Sequence, residues 1–142
     1  MQTASEATIR EAIEVTLLPG VGNLLQGRLW KAFPDISSLF AINDASLAAL
    51  GVPTDAFSII RSRGYRATAS EIYDWGIREG CHFLIRGNRD YPQLLEEIFD
   101  PPLVLYARGR LEALTMPRIA VVGTRRPTIY GLQMAQGLAS DL

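Results

Sequence analysis

The sequence predicts an α + α/β fold, with a small helical domain over residues 1–79 followed by residues 80–142 as the incomplete start of a parallel-sheet domain. Up to residue 79, apolar residues recur at helical spacing between Pro and Gly breaks. After residue 80 the pattern changes to short runs rich in β-branched and aromatic residues. Ile119–Val122 is such a run, and the helical spacing that follows it is typical of a strand-turn-helix unit.

Length and charge limit the classes of function. The chain has 142 residues and is 48% hydrophobic, enough to bury a core in one domain or two small ones. Its net charge of −1 gives no overall basic field that would indicate nucleic acid. Basic residues nevertheless concentrate at the C-terminal end, where residues 106–142 contain five arginines against Glu112 and Asp141.

The sequence offers no metal, cofactor or membrane signal. Cys81 and His82 are the only Cys and His, so the pair is interpreted as packing rather than as metal ligands. No apolar stretch approaches a membrane span, and the N-terminus does not resemble a signal peptide. We therefore expect no cofactor and no bound metal, and a cytoplasmic protein.

Two helices begin the chain. Ser5 is a suitable N-cap for the first, which carries an apolar stripe that includes Ile9 and Ile13. The second follows Asn23 and ends at Pro34. The connection Leu18-Pro-Gly-Val-Gly22 is typical of a helix-hairpin-helix unit, whose glycines approach a DNA phosphate without reading bases. Plain helix packing or protein contact is the alternative. The candidate contacts to a duplex backbone are Gly20, Gly22 and Asn23.

Further short helices are expected at 35–40, 43–50, 53–60 and 68–79. Asn43 or Asp44 would cap the second of these and Gly51 would end it, while Ser70 could cap the last. A small basic cluster precedes that last helix. It is interpreted as a solvated face, with an accessory phosphate contact as the alternative, and consists of Arg61, Arg63 and Arg66.

The second part reads β-α-β-β-α. Strands are predicted at 82–86, 103–108 and 118–122, and helices at 91–98 and from Thr128 to the chain end. The turn Gly123–Thr128 would lie at the carboxyl end of a buried parallel strand, where open α/β sheets bind ligands. Free N–H groups at a helix start favour an anion, and Arg125 and Arg126 add charge. The alternative is a connecting turn whose arginines are only solvated.

Three pieces of the sequence occur together in one family. They are Leu18-Pro-Gly-Val-Gly22 within a helical domain, Tyr91-Pro-Gln-Leu-Leu with Asp100-Pro-Pro-Leu-Val-Leu-Tyr-Ala-Arg-Gly109, and Ile119-Ala-Val-Val-Gly-Thr-Arg-Arg-Pro-Thr-Ile-Tyr-Gly131. On these residues the chain resembles the DNA processing protein A (DprA, or Smf) family. The resemblance implies a SAM-like or helix-hairpin-helix-like domain followed by the start of an extended Rossmann-like domain. It covers the chain from about residue 10.

The resemblance also implies a function. Members of the family bind single-stranded DNA, protect incoming strands, load the RecA recombinase and support natural transformation and competence. By this match the family's Gly-Ser-Arg turn falls on Gly123, Thr124 and Arg125, with Thr in place of Ser. The implied DNA-binding residues are Gly123, Thr124, Arg125, Arg126, Thr128 and Tyr130, with no catalytic residue.

The family's second domain continues well beyond the point that corresponds to Leu142. The sequence is therefore interpreted as a fragment, with RecA contact and homodimer formation assigned to parts it lacks. Two alternatives stay open at this point. One is a Rossmann-type enzyme that processes nucleotides, for which residues 118–142 supply Asp141 as the one acidic side chain. The other is a helical module that docks a protein partner.

Overall fold

The computed structural model describes residues 4–117 and 119–141. Helices dominate the first half, and a two-stranded hairpin follows them. The elements in chain order are α1 (Glu6–Thr16), α2 (Asn23–Ala32), a 3-10 helix (Ile36–Ala41), α3 (Asp44–Ala49), α4 (Thr54–Ser62), α5 (Arg66–Arg78), β1 (Cys81–Ile85), α6 (Gln93–Glu96), β2 (Val104–Arg108), a second 3-10 helix (Leu111–Thr115) and α7 (Ile129–Asp141). The predicted α + β composition is confirmed.

Local capping sets the helix starts. The Ser5 hydroxyl accepts a hydrogen bond from the Thr8 N–H at 3.1 Å, and the Asn43 side chain accepts one from the Ser46 N–H at 2.9 Å. Both predicted caps are confirmed. The expected cap at Ser70 is wrong, because α5 already begins at Arg66 and Ser70 lies inside it.

One hydrophobic core joins the helices to the hairpin. Ala12, Ile13 and Val15 on α1 are fully buried at its centre. Ile85 and Val104, from the two strands, belong to the same buried cluster. Burial of this shared apolar surface supplies most of the driving force for folding. The domain boundary between residues 79 and 80 stays a prediction.

The sheet is antiparallel, which corrects the expected parallel arrangement. β1 and β2 pair from Cys81 opposite Arg108 to Ile85 opposite Val104. The Arg86 N–H donates to the Leu103 carbonyl at 2.9 Å and extends the ladder towards the turn. A parallel pair needs a full crossover, usually a helix, whereas α6 is a single helical turn in place of the expected helix at 91–98.

The predicted strand at 118–122 is wrong for this chain. Arg118 lies outside the described residues, and residues 119–122 form no strand. Val122 is 91% exposed, and the sheet of the described residues consists of β1 and β2, neither of which pairs with this segment. A strand needs such a partner for its backbone N–H and C=O groups.

The helix predicted after the turn is confirmed as α7. The Thr128 hydroxyl accepts a hydrogen bond from the Gly131 N–H at 3.1 Å, and the Thr128 carbonyl accepts one from the Leu132 N–H at 3.0 Å. Most of the helix is exposed, including its large apolar side chains Ile129, Tyr130, Leu132, Met134 and Leu138.

Candidate nucleic-acid interface

Residues 123–128 form an exposed loop that leads directly into α7. The backbone bends at Arg125 and Arg126. The Thr124 hydroxyl accepts a hydrogen bond from the Arg126 N–H at 3.4 Å, while Thr128 caps the helix. The two threonines therefore shape the loop on either side of the two arginines.

The guanidinium groups of Arg125 and Arg126 are exposed to solvent and free of carboxylate partners among the described residues. Within residues 4–117 and 119–141, neither Arg125 nor Arg126 forms an ion pair, and both side chains are exposed. They lie just before the N-terminus of α7, where the helix dipole also favours negative charge. Two guanidinium groups at such a position are suited to phosphate oxygens.

The predicted loop residues are close to one another because they are neighbours along the chain. The described residues form no closed pocket around them. Tyr130, in the first turn of α7, is 71% exposed. No neighbouring atom lies within 4 Å of a Cβ built on Gly123. Because residues 119–122 form no strand, the loop is not placed at the edge of a sheet. Its role in binding stays a prediction.

The two glycines of the connection between α1 and α2, Gly20 and Gly22, have different surroundings. Gly20 has φ of +68°, and a Cβ there would lie 2.9 Å from Pro53 Cγ, so the turn and its packing both require glycine. Gly22 is the N-cap of α2 and faces open space. The Asn23 amide donates to the Asp100 carboxylate at 3.5 Å, so a phosphate here would meet a negative neighbour. Duplex contact by Gly20, Gly22 and Asn23 stays a prediction.

The basic cluster at Arg61, Arg63 and Arg66 is not simply a solvated face. Arg63 Nη2 lies 2.6 Å from Glu14 Oε2, and its guanidinium lies 4.0 Å from the centre of the Phe40 ring. The hydrogen bond to Glu14 raises the pKa of Arg63 above its ordinary value. No local sequence signal indicates this contact, since Glu14 and Arg63 are 49 positions apart along the chain.

The described residues show no cluster of metal-ligating side chains. No group of three or more His, Cys, Asp or Glu side chains in this part of the chain is arranged to hold a metal ion. Cys81 is a free, half-buried thiol at the start of β1. None of the described helices is both long and apolar enough to cross a membrane.

A profile of the family described as DNA recombination-mediator protein A matches residues 82–142. That match covers β1, β2, the arginine loop and α7. Through this part, the chain is similar to the DprA family. The resemblance seen in its motifs is confirmed for that region.

Named relatives agree with this assignment. The chain is 38% identical over 65 residues to the DNA processing protein DprA of Bacillus subtilis, an alignment that covers 45% of this chain and 22% of that protein. It is 41% identical over 64 residues to Protein Smf of Synechocystis, covering 42% of this chain and 16% of the relative. It is 39% identical over 56 residues to DprA of Streptococcus pneumoniae, covering 37% and 20%.

The chain thus aligns with about a fifth of the length of these curated relatives. No solved structure matches it significantly. The family assignment therefore rests on sequence and on the region that contains the arginine loop.

Proposed function

We propose that this chain is part of a DNA-processing protein that binds single-stranded DNA through its backbone phosphates. The observation that carries the proposal is the pair of exposed, unneutralised guanidinium groups of Arg125 and Arg126 beside the start of α7. Gly123, Thr124, Thr128 and Tyr130 complete the proposed contact surface. Phosphate contacts of this kind give affinity without base sequence preference.

The biological role follows from the family. The profile is described as a recombination mediator, and two relatives are named as DNA processing proteins. We therefore assign this chain to a cytoplasmic protein that protects incoming single strands and loads RecA during natural transformation. RecA contact and homodimer formation belong, in this proposal, to regions outside the 142 residues.

The exposed apolar residues support the finer fold proposal. Val122, in segment 119–122, is 91% exposed, and Ile129, in α7, is 80% exposed. Both the segment and the helix thus expose apolar side chains to solvent. In a protein as long as the relatives, further strands would cover these residues within a Rossmann-like sheet. The helical part would then be its SAM-like partner domain.

No observation favours the enzyme alternative. General acid–base chemistry at the loop would need a positioned titratable partner. In residues 119–141, Asp141 supplies the one carboxylate side chain, and it lies at the far end of α7 from the arginines. No catalytic residue, cofactor or metal is therefore proposed.

The test is the salt dependence of binding to a labelled oligothymidylate. We expect Arg125→Ala to weaken binding several-fold and to flatten the log–log salt slope by about 0.7, the change for one lost single-strand phosphate contact. Arg126→Ala should behave in the same direction. The matched control is Arg78→Ala, which removes one exposed arginine charge at the end of α5.

Equal affinity and slope for Arg125→Ala and Arg78→Ala would remove Arg125 from the interface. Oligonucleotides of different base composition should bind alike. Absence of DNA binding together with turnover of a free nucleotide would instead favour the enzyme.

A further inference from the structure

A small cavity lies between α2 and the turn that follows β1. Its volume is about 130 Å³, room for a phosphate group. The residues that line it are Gly27, Trp30, Lys31, Arg86, Gly87, Asn88 and Glu96. None of them belongs to the arginine loop at 123–128.

Arg86 is the unusual residue of this cavity. Its side chain is only 17% exposed, yet its guanidinium forms no hydrogen bond with any of the described residues. Glu96 Oε1 lies 3.9 Å from Arg86 Nε, which makes a long ion pair but is beyond hydrogen-bond range. Charged donors in such a position normally form hydrogen bonds, because a buried donor without one is costly.

Helix α2 leaves room for the guanidinium. A Cβ on Gly27 would lie 2.4 Å from Arg86 Nη1, so glycine at this position makes room for the side chain against α2. The Arg86 N–H is bonded to Leu103 at the end of the hairpin ladder. The ladder therefore fixes the backbone of Arg86, and its side chain lies beside Gly27 at the edge of the cavity.

The other polar groups of the cavity favour an anion. The lining residues include Lys31, an exposed residue in the last turn of α2, and Asn88. Glu96 is the one carboxylate residue in the lining, against the two cationic residues Arg86 and Lys31. Guanidinium and ammonium groups together are typical phosphate ligands.

We propose that Arg86 and Lys31, assisted by Asn88, form a phosphate-binding site separate from the Arg125 loop. Its ligand is a phosphate group, carried either by a DNA backbone or by a free nucleotide or inorganic phosphate. The site itself does not depend on the proposed function. The assignment of a DNA phosphate as its ligand rests on the proposed function. In that case the site would give the DNA strand a second phosphate contact, near the helical part of the chain.

Trp30 provides the readout. It lines the cavity, whereas Trp75, the other tryptophan, is half-exposed on α5 and outside it. Inorganic phosphate, thymidine 5′-monophosphate and an oligothymidylate without terminal phosphate are titrated into the whole chain. We expect saturable shifts of the Trp30 indole N–H signal in the millimolar range or below, with Trp75 unchanged.

Variants make the assignment specific. Arg86→Gln should abolish the shift and Lys31→Gln should weaken binding about tenfold, each by removing a charge from the phosphate. Arg28→Gln, an exposed position on the same helix that does not line the cavity, is the matched control. Glu96→Gln should tighten binding, because it removes the competing carboxylate, and a merely structural role would not produce that direction.

The outcomes distinguish a DNA backbone from a free phosphate as the ligand. They also distinguish the proposed Arg86 site from the proposed DNA binding at the Arg125 loop. Shifts with the oligothymidylate support a DNA backbone ligand, and shifts only with the two small phosphates support a free one. Phosphate binding that survives Arg125→Ala shows that the sites are separate, whatever happens to DNA binding. No Trp30 shift with any probe, or equal affinities for Lys31→Gln and Arg28→Gln, would overturn the proposal. Lys31 is exposed, so its variant remains informative even if Arg86→Gln fails to fold.

Discussion

A buried ion pair is the most consequential contact at the scale of single residues. Glu14 lies in the middle of α1 with a side chain only 2% exposed, and Arg63 is its partner at 2.6 Å. Arg63 ends α4 in the left-handed region with φ of 50°, which turns its side chain back over Phe40 and towards α1. Arg63 also lies 3.6 Å from Glu11. The pair thus connects α1 with α4.

Removing one member should be far more damaging than removing an exposed pair. We expect Arg63→Ala to lower the free energy of unfolding by about 3–5 kcal/mol, because it leaves the Glu14 carboxylate buried without a partner. Alanine keeps the backbone penalty at this φ, so the change reports on the side chain. Urea denaturation of the purified chain measures it.

Arg61→Ala is the control for that prediction. Arg61 pairs with Asp44 across α3 and α4, but both side chains are about half-exposed. Its loss should cost less than about 1 kcal/mol. Similar losses for the two variants would show that the Glu14–Arg63 pair is not an energetically special contact.

At the scale of elements, helix α5 is fitted closely to strand β1. A Cβ on Gly76 would lie 2.3 Å from Phe83 Cζ, so the glycine lets the aromatic ring lie directly on the helix. Phe83 is also confined between Tyr73, at 5.1 Å between ring centres, and Tyr106, at 5.4 Å. The ring therefore has little freedom to move aside.

Adding one methyl group here should separate the helix from the sheet. We expect Gly76→Ala to lower the free energy of unfolding by about 1–3 kcal/mol through overpacking, although alanine is the better helix former. Gly137→Ala in α7 is the matched control, since nothing lies within 4 Å of its added Cβ. A neutral or stabilising Gly76→Ala, measured by the same denaturation, would show that the α5–β1 contact adapts freely.

At the scale of the whole molecule, the buried core and the family motif occupy different parts of the chain. The core cluster runs from α1 to Val104 in β2 and includes no residue of α7. The segment 119–141 is almost entirely exposed. Unfolding of this segment should therefore require much less free energy than global unfolding.

Limited proteolysis tests this division. Trypsin should cleave first after Arg125, because that loop is exposed and its neighbour Arg126 precedes Pro127, which blocks cleavage there. Arg63 and Arg86, which are half-buried, should be cut only on global unfolding. The remaining large fragment should keep a thermal midpoint within a few degrees of the intact chain, as circular dichroism would show. Simultaneous cleavage at all three sites would mean that loop and core unfold together.

The sequence alone determined the features that depend on neighbours along the chain. Ser5 and Asn43 cap helices because their side chains reach N–H groups three residues ahead. Pro34 and Gly51 mark helix ends for equally local reasons. The family motif, with Arg125 beside the start of a helix, could also be recognised from the sequence, because its residues are contiguous.

Only the tertiary structure decided what depends on distant partners. Ile119–Val122 has the composition of a buried strand, but a strand needs another strand beside it, and in the described residues neither β1 nor β2 pairs with this segment. Arg63 and Arg86 look like ordinary surface arginines in sequence, yet one meets Glu14 and the other packs on Gly27. Local side-chain spacing fixed the helices, and packing between distant segments decided the direction of strand pairing and which charges were withdrawn from water.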